Sequence, residues 1–330
     1  MTNNEAQVSY FPLENFGKHK SDFINNNFDL VLYSCANFIN PRCKSFFSSG
    51  KEIISKYKIP IFFIGIGLQT TIEDENFNFL KSFKNELCEF IEAVSKCGGS
   101  FSLRGEKTAE VFKKLGFDNY WVTGCPSIFM LGKNFQINTY PLNENEFKPL
   151  INGTHCLKDK NINHVFKKYP QSVFICQDRF IRILEEREKY PIRYRDLSLR
   201  LRFGNTTTQL LKENRIKLFK DILVWMDFIK NSGFNFSFGT RIHGNIVATL
   251  CKAPAFIWAR DMRVLEMAEY FNFPYTTKIN RKIDLFEVYQ SLDYSKFNQN
   301  FKEKFDNFQL FFDVHKIPCT VGQGINEFVK

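Results

Sequence analysis

The sequence predicts an α/β protein of two lobes, each a parallel sheet covered by helices. Apolar runs of strand length alternate with longer segments of helical period, which is the pattern of strand–helix–strand units. The alternation stops at a polar stretch over residues 132–170 and resumes beyond it, and 330 residues suffice for two domains of roughly 150 each.

In the first lobe, Phe28 to Ser34 and Pro60 to Ile66 read as buried strands, with a helix over Lys51 to Lys58 between them. From Phe79 to Lys96 the residues Leu80, Phe83, Leu87, Phe90, Ile91 and Val94 recur at helical spacing, and Gly98-Gly99 ends the run. A strand over Ser100 to Leu103, a helix over Glu106 to Leu115 closed by Gly116, and a strand over Tyr120 to Thr123 follow. The stretch 132–170, rich in Asn, Pro and Lys, reads as the crossing between lobes. The second lobe then predicts strand Ser172 to Cys176, helix Glu213 to Lys230, strand Phe234 to Phe238, helix Ile242 to Cys251, strand Ala255 to Trp258 and helix Met262 to Phe271. An Arg-rich insertion containing Arg179, Arg182, Arg187, Arg193, Arg195, Arg200 and Arg202 interrupts it; interleaved with acids, it reads as a solvated face. The expected domains are residues 1–135 and 136–330, with the last helix packing back on the first lobe.

With 45 Lys+Arg against 35 Asp+Glu the net charge is +10, and 44% hydrophobic with 24% charged residues excludes a disordered or disulfide-scaffold protein. The 39 Phe are far above ordinary usage; genome composition and core filling account for most, with stacking on sugar rings open for a few. Nine scattered cysteines with no C-x-x-C pair indicate a reducing compartment and neither a redox motif nor a zinc site. The longest apolar run, Ile59 to Leu68, is about half of what spans a bilayer, and the start has no secretory signal, so a cytoplasmic location is expected. No nucleic-acid motif is present and no acidic cluster suggests a metal, so neither partner is expected.

Chemistry is expected at strand-to-helix turns, outside the carboxyl ends of parallel strands. Phe238-Gly239-Thr240-Arg241-Ile242-His243-Gly244-Asn245 is such a turn. Gly239 permits tight backbone, the helix N-terminus attracts anions, Arg241 adds a planar fork, and His243 a proton donor in the first turn. The structural alternative is that Thr240 caps the helix and His243 packs against the other lobe. Ser102-Leu103-Arg104-Gly105-Glu106-Lys107 repeats the logic with Arg104, although Lys107 also reads as a solvated charge. Gly65-Ile66-Gly67 reads as a turn of close backbone approach, and it lacks the third glycine of a dinucleotide site. Cys125, without a His nearby in sequence, reads as a packing residue. His19 and His315 are isolated, and His155 and His164 lie in the crossing.

Taken together, Ser102 to Phe129 (R-G-x-x-T-A, then V-T-G-C-P-S) and Phe238 to Arg263 (G-x-R-x-H-G, then a strand and an Asp-containing turn) resemble the two signature regions of the polysaccharide pyruvyl transferase family, within a match from about Asp29 to Pro274. The resemblance implies two Rossmann-like lobes similar to the GT-B glycosyltransferase fold, an acceptor side in the first and a donor side in the second. It implies transfer of a pyruvate ketal from phosphoenolpyruvate to a sugar diol of a surface glycan, with no separate cofactor. Arg241 and His243 would be the catalytic pair of the donor site, and Arg104, Lys107, Gly239, Thr240, Gly244 and Asn245 would bind substrate. The expected partners are phosphoenolpyruvate and a glycan acceptor, lipid-linked at an anionic membrane face that the net charge would favour. The family's glycine-rich first turn is not recognisable here, and Tyr33-Ser34-Cys35-Ala36-Asn37 stands where a Gly-Gly-Gly turn is expected, so a lost edge strand is anticipated. The alternatives are a GT-B-like glycosyltransferase using a nucleotide sugar and a non-catalytic glycan-binding or assembly protein.

Overall fold

The computed structural model describes residues 8–10, 21–177 and 205–321. The Arg-rich insertion of residues 179–202 and His19 lie outside them. The described chain forms two compact units, one of Met1–Pro126 with Asp261–Glu266 and Glu303–Gly324, the other of Ser127–Arg260 with Met267–Lys302.

The first unit holds a parallel sheet of β1 (Val31–Ser34), β2 (Asn37–Ile39), β3 (Ile61–Leu68), β4 (Ser100–Leu103) and β5 (Tyr120–Val122), in the order β1-β3-β4-β5. β2 is a strand that the sequence reading passed over. It follows β1 after Cys35 and Ala36 and pairs with the far end of β3, the strand that β1 also pairs, Asn37 opposite Gly67 and Ile39 opposite Leu68. β1 and β2, joined through Cys35 and Ala36, thus both pair along one side of β3. The helix before β3 covers Lys44–Ile54 rather than Lys51 to Lys58, because Lys44 to Ile54 buries Phe47 and Ile54 on one stripe. The helices Lys84–Lys96 and Glu106–Leu115 form as expected, the second stopped by Gly116 in the left-handed region.

Gly65 and Gly67 lie inside β3, not in a turn after it. Gly65 has φ +74°, and the β3–β4 register shifts between Phe63 and Ile66, so the glycine makes a bulge in a strand that is otherwise buried along its whole length. Gly65 N–H donates to Ser102 Oγ at 3.3 Å, and Ser102 shares a 2.5 Å hydroxyl bond with Thr123, so the polar groups freed by the bulge stay paired.

The second unit holds β6 (Pro149–Asn152), β7 (Val173–Ile175), β8 (Ile216–Lys217), β9 (Phe236–Gly239), β10 (Ala255–Trp258) and β11 (Tyr275–Thr276) in the order β11-β10-β9-β6-β7-β8, every pair parallel. From β6 the chain adds β7 and β8 on one side, then returns to add β9, β10 and β11 on the other. This is the doubly wound order, and its direction reverses between β6 and β9. β6 corrects the sequence reading, which took residues 132–170 as a crossing: four buried residues in a polar stretch form the strand at the reversal. The helix expected over Glu213 to Lys230 is also two elements, β8 and the helix Ile222–Asn231, the latter capped by Asp221 through Leu223 N–H and Val224 N–H.

Phenylalanine fills the cores. The largest fully buried side chains, from Phe47 to Phe297, are all Phe. In the first unit Phe38, Phe47, Phe63 and Phe90 meet with ring centroids 5.1–5.6 Å apart, mostly edge-on or tilted. All nine cysteines are free thiols.

Candidate functional site

At the reversal in the second unit, β6 ends at Asn152 and β9 at Gly239, side by side in register. Asn152 is 1% exposed and its amide organises the turn. Its Nδ2 donates to Asn245 Oδ1 at 2.9 Å, and its Oδ1 accepts the backbone N–H of Arg241 at 2.8 Å. Asn245 Oδ1 also accepts from Ser237 Oγ at 2.8 Å, while Asn245 Nδ2 donates to the Gly239 carbonyl at 3.0 Å. A fully paired buried network of this kind fixes one geometry. It ties β6, β9 and the helix Ile242–Leu250 together behind the turn.

Gly239 is required here. Its φ is +154°, and a Cβ on it would come within 2.0 Å of the Asn152 carbonyl oxygen. At Gly244 a Cβ would come within 2.3 Å of Gln177 Nε2 and 3.1 Å of Asn152 Cγ, so the helix rests on these side chains. Gln177 follows β7, and its Nε2 is buried without a hydrogen-bond partner.

Arg241 is the N-cap of the helix, with extended backbone, and its own side chain makes no capping hydrogen bond. Thr240 is therefore not the cap; it is 7% exposed, and its N–H donates to the Asn152 carbonyl at 3.3 Å. His243 lies in the first turn and, like Arg241, is half-buried. Asn245, expected to bind substrate, is 0% exposed and its amide is engaged on both sides by the network, so its work is to hold the turn. Gly244 likewise meets protein on its open face. The arrangement presents a helix N-terminus, a guanidinium and an imidazole at a strand-order reversal, which suits an anion and proton transfer together. Arg260, after β10, stacks over Trp258 at 4.8 Å.

In the first unit, Arg104 follows β4 and is 4% exposed. Its Nε donates to the Gly65 carbonyl at 2.7 Å and its N–H to the Ile66 carbonyl at 2.8 Å, so the β3 bulge is what receives it. Its Nη1 is buried with no hydrogen-bond partner. The helix N-terminus after it is occupied from within the protein. Glu266, 1% exposed, accepts from Thr108 N–H at 3.0 Å and from Thr108 Oγ1 at 2.8 and 2.9 Å. Burial pushes the Glu266 carboxyl up to about 8, against the pull of the Thr108 bonds and the Arg104 charge. Lys107 bonds Glu110 one turn on, at 3.0 and 3.2 Å, so its charge is partnered within its own helix.

Cys125 is 3% exposed, and burial pushes the thiols of Cys35, Cys156 and Cys251 up, the last to about 12. Among the described residues no group of three or more His, Cys, Asp or Glu is arranged to hold a metal ion, and no helix is long and apolar enough to cross a membrane.

Asn152 and Glu266 are the site residues that sequence reasoning missed. Asn152 had a weak signal, an apolar run ending in Asn-Gly; Glu266 had none, since its partner Thr108 is 158 residues away.

The family model described as polysaccharide pyruvyl transferase matches residues 45–261. Among solved structures, the UDP-GlcNAc 2-epimerase from Methanocaldococcus jannaschii aligns with a TM-score of 0.51 at 12% identity, over 93% of this chain and 84% of that one. A structure of Anabaena Alr3699/HepE in complex with UDP and glucose aligns with a TM-score of 0.48 at 13% identity, over 94% and 84%. The first likeness establishes the fold class, a GT-B-type α/β protein with parallel sheets. Comparison with curated proteins finds no match.

Proposed function

The chain belongs to the polysaccharide pyruvyl transferase family, and from that premise we propose that it transfers pyruvate from phosphoenolpyruvate, as a ketal, onto two hydroxyls of a sugar in a surface polysaccharide or its precursor. The observation that carries the reading is the Gly239–Asn245 turn at the reversal between β6 and β9, where an arginine and a histidine open a helix.

Ketal formation needs a proton on the methylene carbon of the donor, attack of two hydroxyls on the adjacent carbon, and loss of phosphate by C–O cleavage. One hydroxyl proton balances the proton taken up by carbon, and the other leaves with phosphate. His243, as imidazolium, is assigned to the proton delivery or to the leaving phosphate, and Arg241 to bidentate binding of an anionic group of the donor. Arg104 is assigned to the donor's anions as well. The leaving group belongs to the donor, so the chemistry as written calls for no separate cofactor. The charge of +10 supports an acceptor presented on a lipid at the cytoplasmic face of an anionic membrane.

The test is turnover with phosphoenolpyruvate and a glycan extract, read as phosphate release and as the ketal in the product. His243→Gln should abolish turnover, and Arg241→Lys should lower kcat/KM roughly 100-fold, with melting temperatures kept. Stabilisation of the wild type by UDP sugars and not by phosphoenolpyruvate would overturn the reading.

A further inference from the structure

We propose that Glu266 is a positioning residue: it fills the N-terminus of the helix Glu106–Leu115 with an internal carboxyl group and so reserves the buried Arg104 guanidinium for an anion carried by the substrate. The inference rests on the assignment of Arg104 to the donor. Its basis is geometric. Arg104 and Glu266 meet around Gly67, where a Cβ would lie 3.0 Å from Arg104 Cδ and 3.2 Å from Glu266 Oε1. Gly105 is packed as closely, a Cβ there lying 3.1 Å from Glu266 Cβ. Despite this closeness the two side chains do not pair. Glu266 spends both oxygens on Thr108, while Arg104 spends Nε on Gly65 and keeps Nη1 buried without an acceptor. Among the described residues no carboxylate forms an ion pair with Arg104. A buried donor of this kind is costly unless a ligand completes it.

The proton state of Glu266 fits the role. Thr108 Oγ1 receives the Leu68 N–H at 3.3 Å and reaches both carboxyl oxygens, so it can accept an acid proton as well as donate. A carboxyl that titrates near 8 is mostly neutral at pH 7, and a neutral Glu266 leaves the charge of Arg104 uncompensated. Once ionised, it competes with the ligand for that charge. The other charged or titratable groups on the elements packed here are Cys35 beside Arg104, Glu106, Lys107, Glu110, Lys113 and Lys114 on the helix, and Asp261, Arg263, Glu269 and Tyr270 on the Glu266 segment. Arg263 Nη1 donates to Asn37 Oδ1 at 2.9 Å, and Asp261 Oδ1 accepts from Val264 N–H.

The experiment is calorimetric titration of the full chain with phosphoenolpyruvate and, separately, with sulfate, whose charge does not change between pH 7 and 9. Wild type should lose about tenfold in affinity for both over that range, whereas Glu266→Gln should keep its pH 7 affinity at pH 9. Arg104→Gln should remove the pH dependence along with most of the binding. Equal pH profiles in wild type and Glu266→Gln overturn the proposal. The crossover with sulfate but no binding of phosphoenolpyruvate supports it and removes the donor assignment; binding of neither anion overturns both. If Glu266→Gln does not fold, the infrared band of a protonated carboxyl in the wild type carries the expectation. Its loss between pH 7 and 9 in step with affinity supports the proposal, and affinity that stays flat across that loss overturns it.

Discussion

After β4 the chain runs through Arg104 and Gly105 into a helix, and after β9 through Gly239, Thr240 and Arg241 into another. Both turns offer a helix N-terminus and a guanidinium at the carboxyl end of a parallel strand, yet they are finished differently. In the first unit a carboxyl from a distant segment closes the N-terminus, and the arginine is buried on a strand bulge. In the second, the polar network stands behind the turn, holding the backbone of Arg241, and the N-cap residue's own side chain makes no capping bond. One local motif therefore serves once as an internally filled joint and once as a presented corner. What decides between them is the tertiary partner rather than the turn itself.

The severest way to break the comparison is to deform the presented corner. Gly239→Ala places a methyl group against the Asn152 carbonyl at a φ that L residues rarely adopt. It should destabilise the protein by about 4 kcal/mol or more, read as the shift in a urea or thermal midpoint. Wild-type stability in that variant would show that the network does not set the turn.

The filled joint is tested by pH. Burial raises the folded Glu266 carboxyl from the ordinary glutamate value of about 4.5 to about 8, so its protonated form favours the fold. Its contribution is fully present below about pH 4.5, declines as pH rises towards 8, and is flat above. The decline amounts to roughly 3–5 kcal/mol. Denaturant titrations from pH 5 to 9 should show it in wild type and not in Glu266→Gln, and parallel curves would mean that the carboxyl is ionised in place.

Lys107→Ala gives the smallest effect and sharpens the comparison from the other side. The lysine pairs with exposed Glu110 one turn along its own helix. Stability should change by less than about 0.5 kcal/mol, and donor affinity should not change. A tenfold loss of affinity would return Lys107 to the site.

The legible parts of the fold were those in which local signals agree. Glu106–Leu115 carries an apolar stripe and ends at Gly116, Ala255–Trp258 is a short apolar run after a proline, and both keep their expected limits. β6 was hidden because its four residues follow Lys148 and open on Pro149, which reads as a breaker. β8 was hidden because apolar spacing runs through it into the next helix. Gly65 and Gly67 read as punctuation, whereas the close approach of Arg104 and Glu266 to β3 requires them inside a strand. At the candidate site, the turn carrying Arg241 and His243 was legible as a local motif. Asn152 and Glu266 were not, since each acts on a segment far away in the chain, and neither spacing nor composition records such a meeting.

The first unit is discontinuous. Its sheet packs Phe62 against Phe311 and His315, its β5 carbonyl at Val122 accepts from Asn307, and its helix N-terminus waits for Glu266. During synthesis, therefore, the N-terminal strands emerge first but cannot be completed first. They must remain partly open while the whole second unit is translated, roughly ten seconds or longer at ordinary ribosome speeds. The usual order, in which an N-terminal domain folds before its successor appears, is reversed here. The second unit, whose strands all lie between Pro149 and Thr276, is the one able to close early. A nascent chain stalled before residue 303 should thus protect β6–β11 from proteolysis while leaving β1–β5 a client for chaperones, and the late segment acts as a latch that ends that dependence.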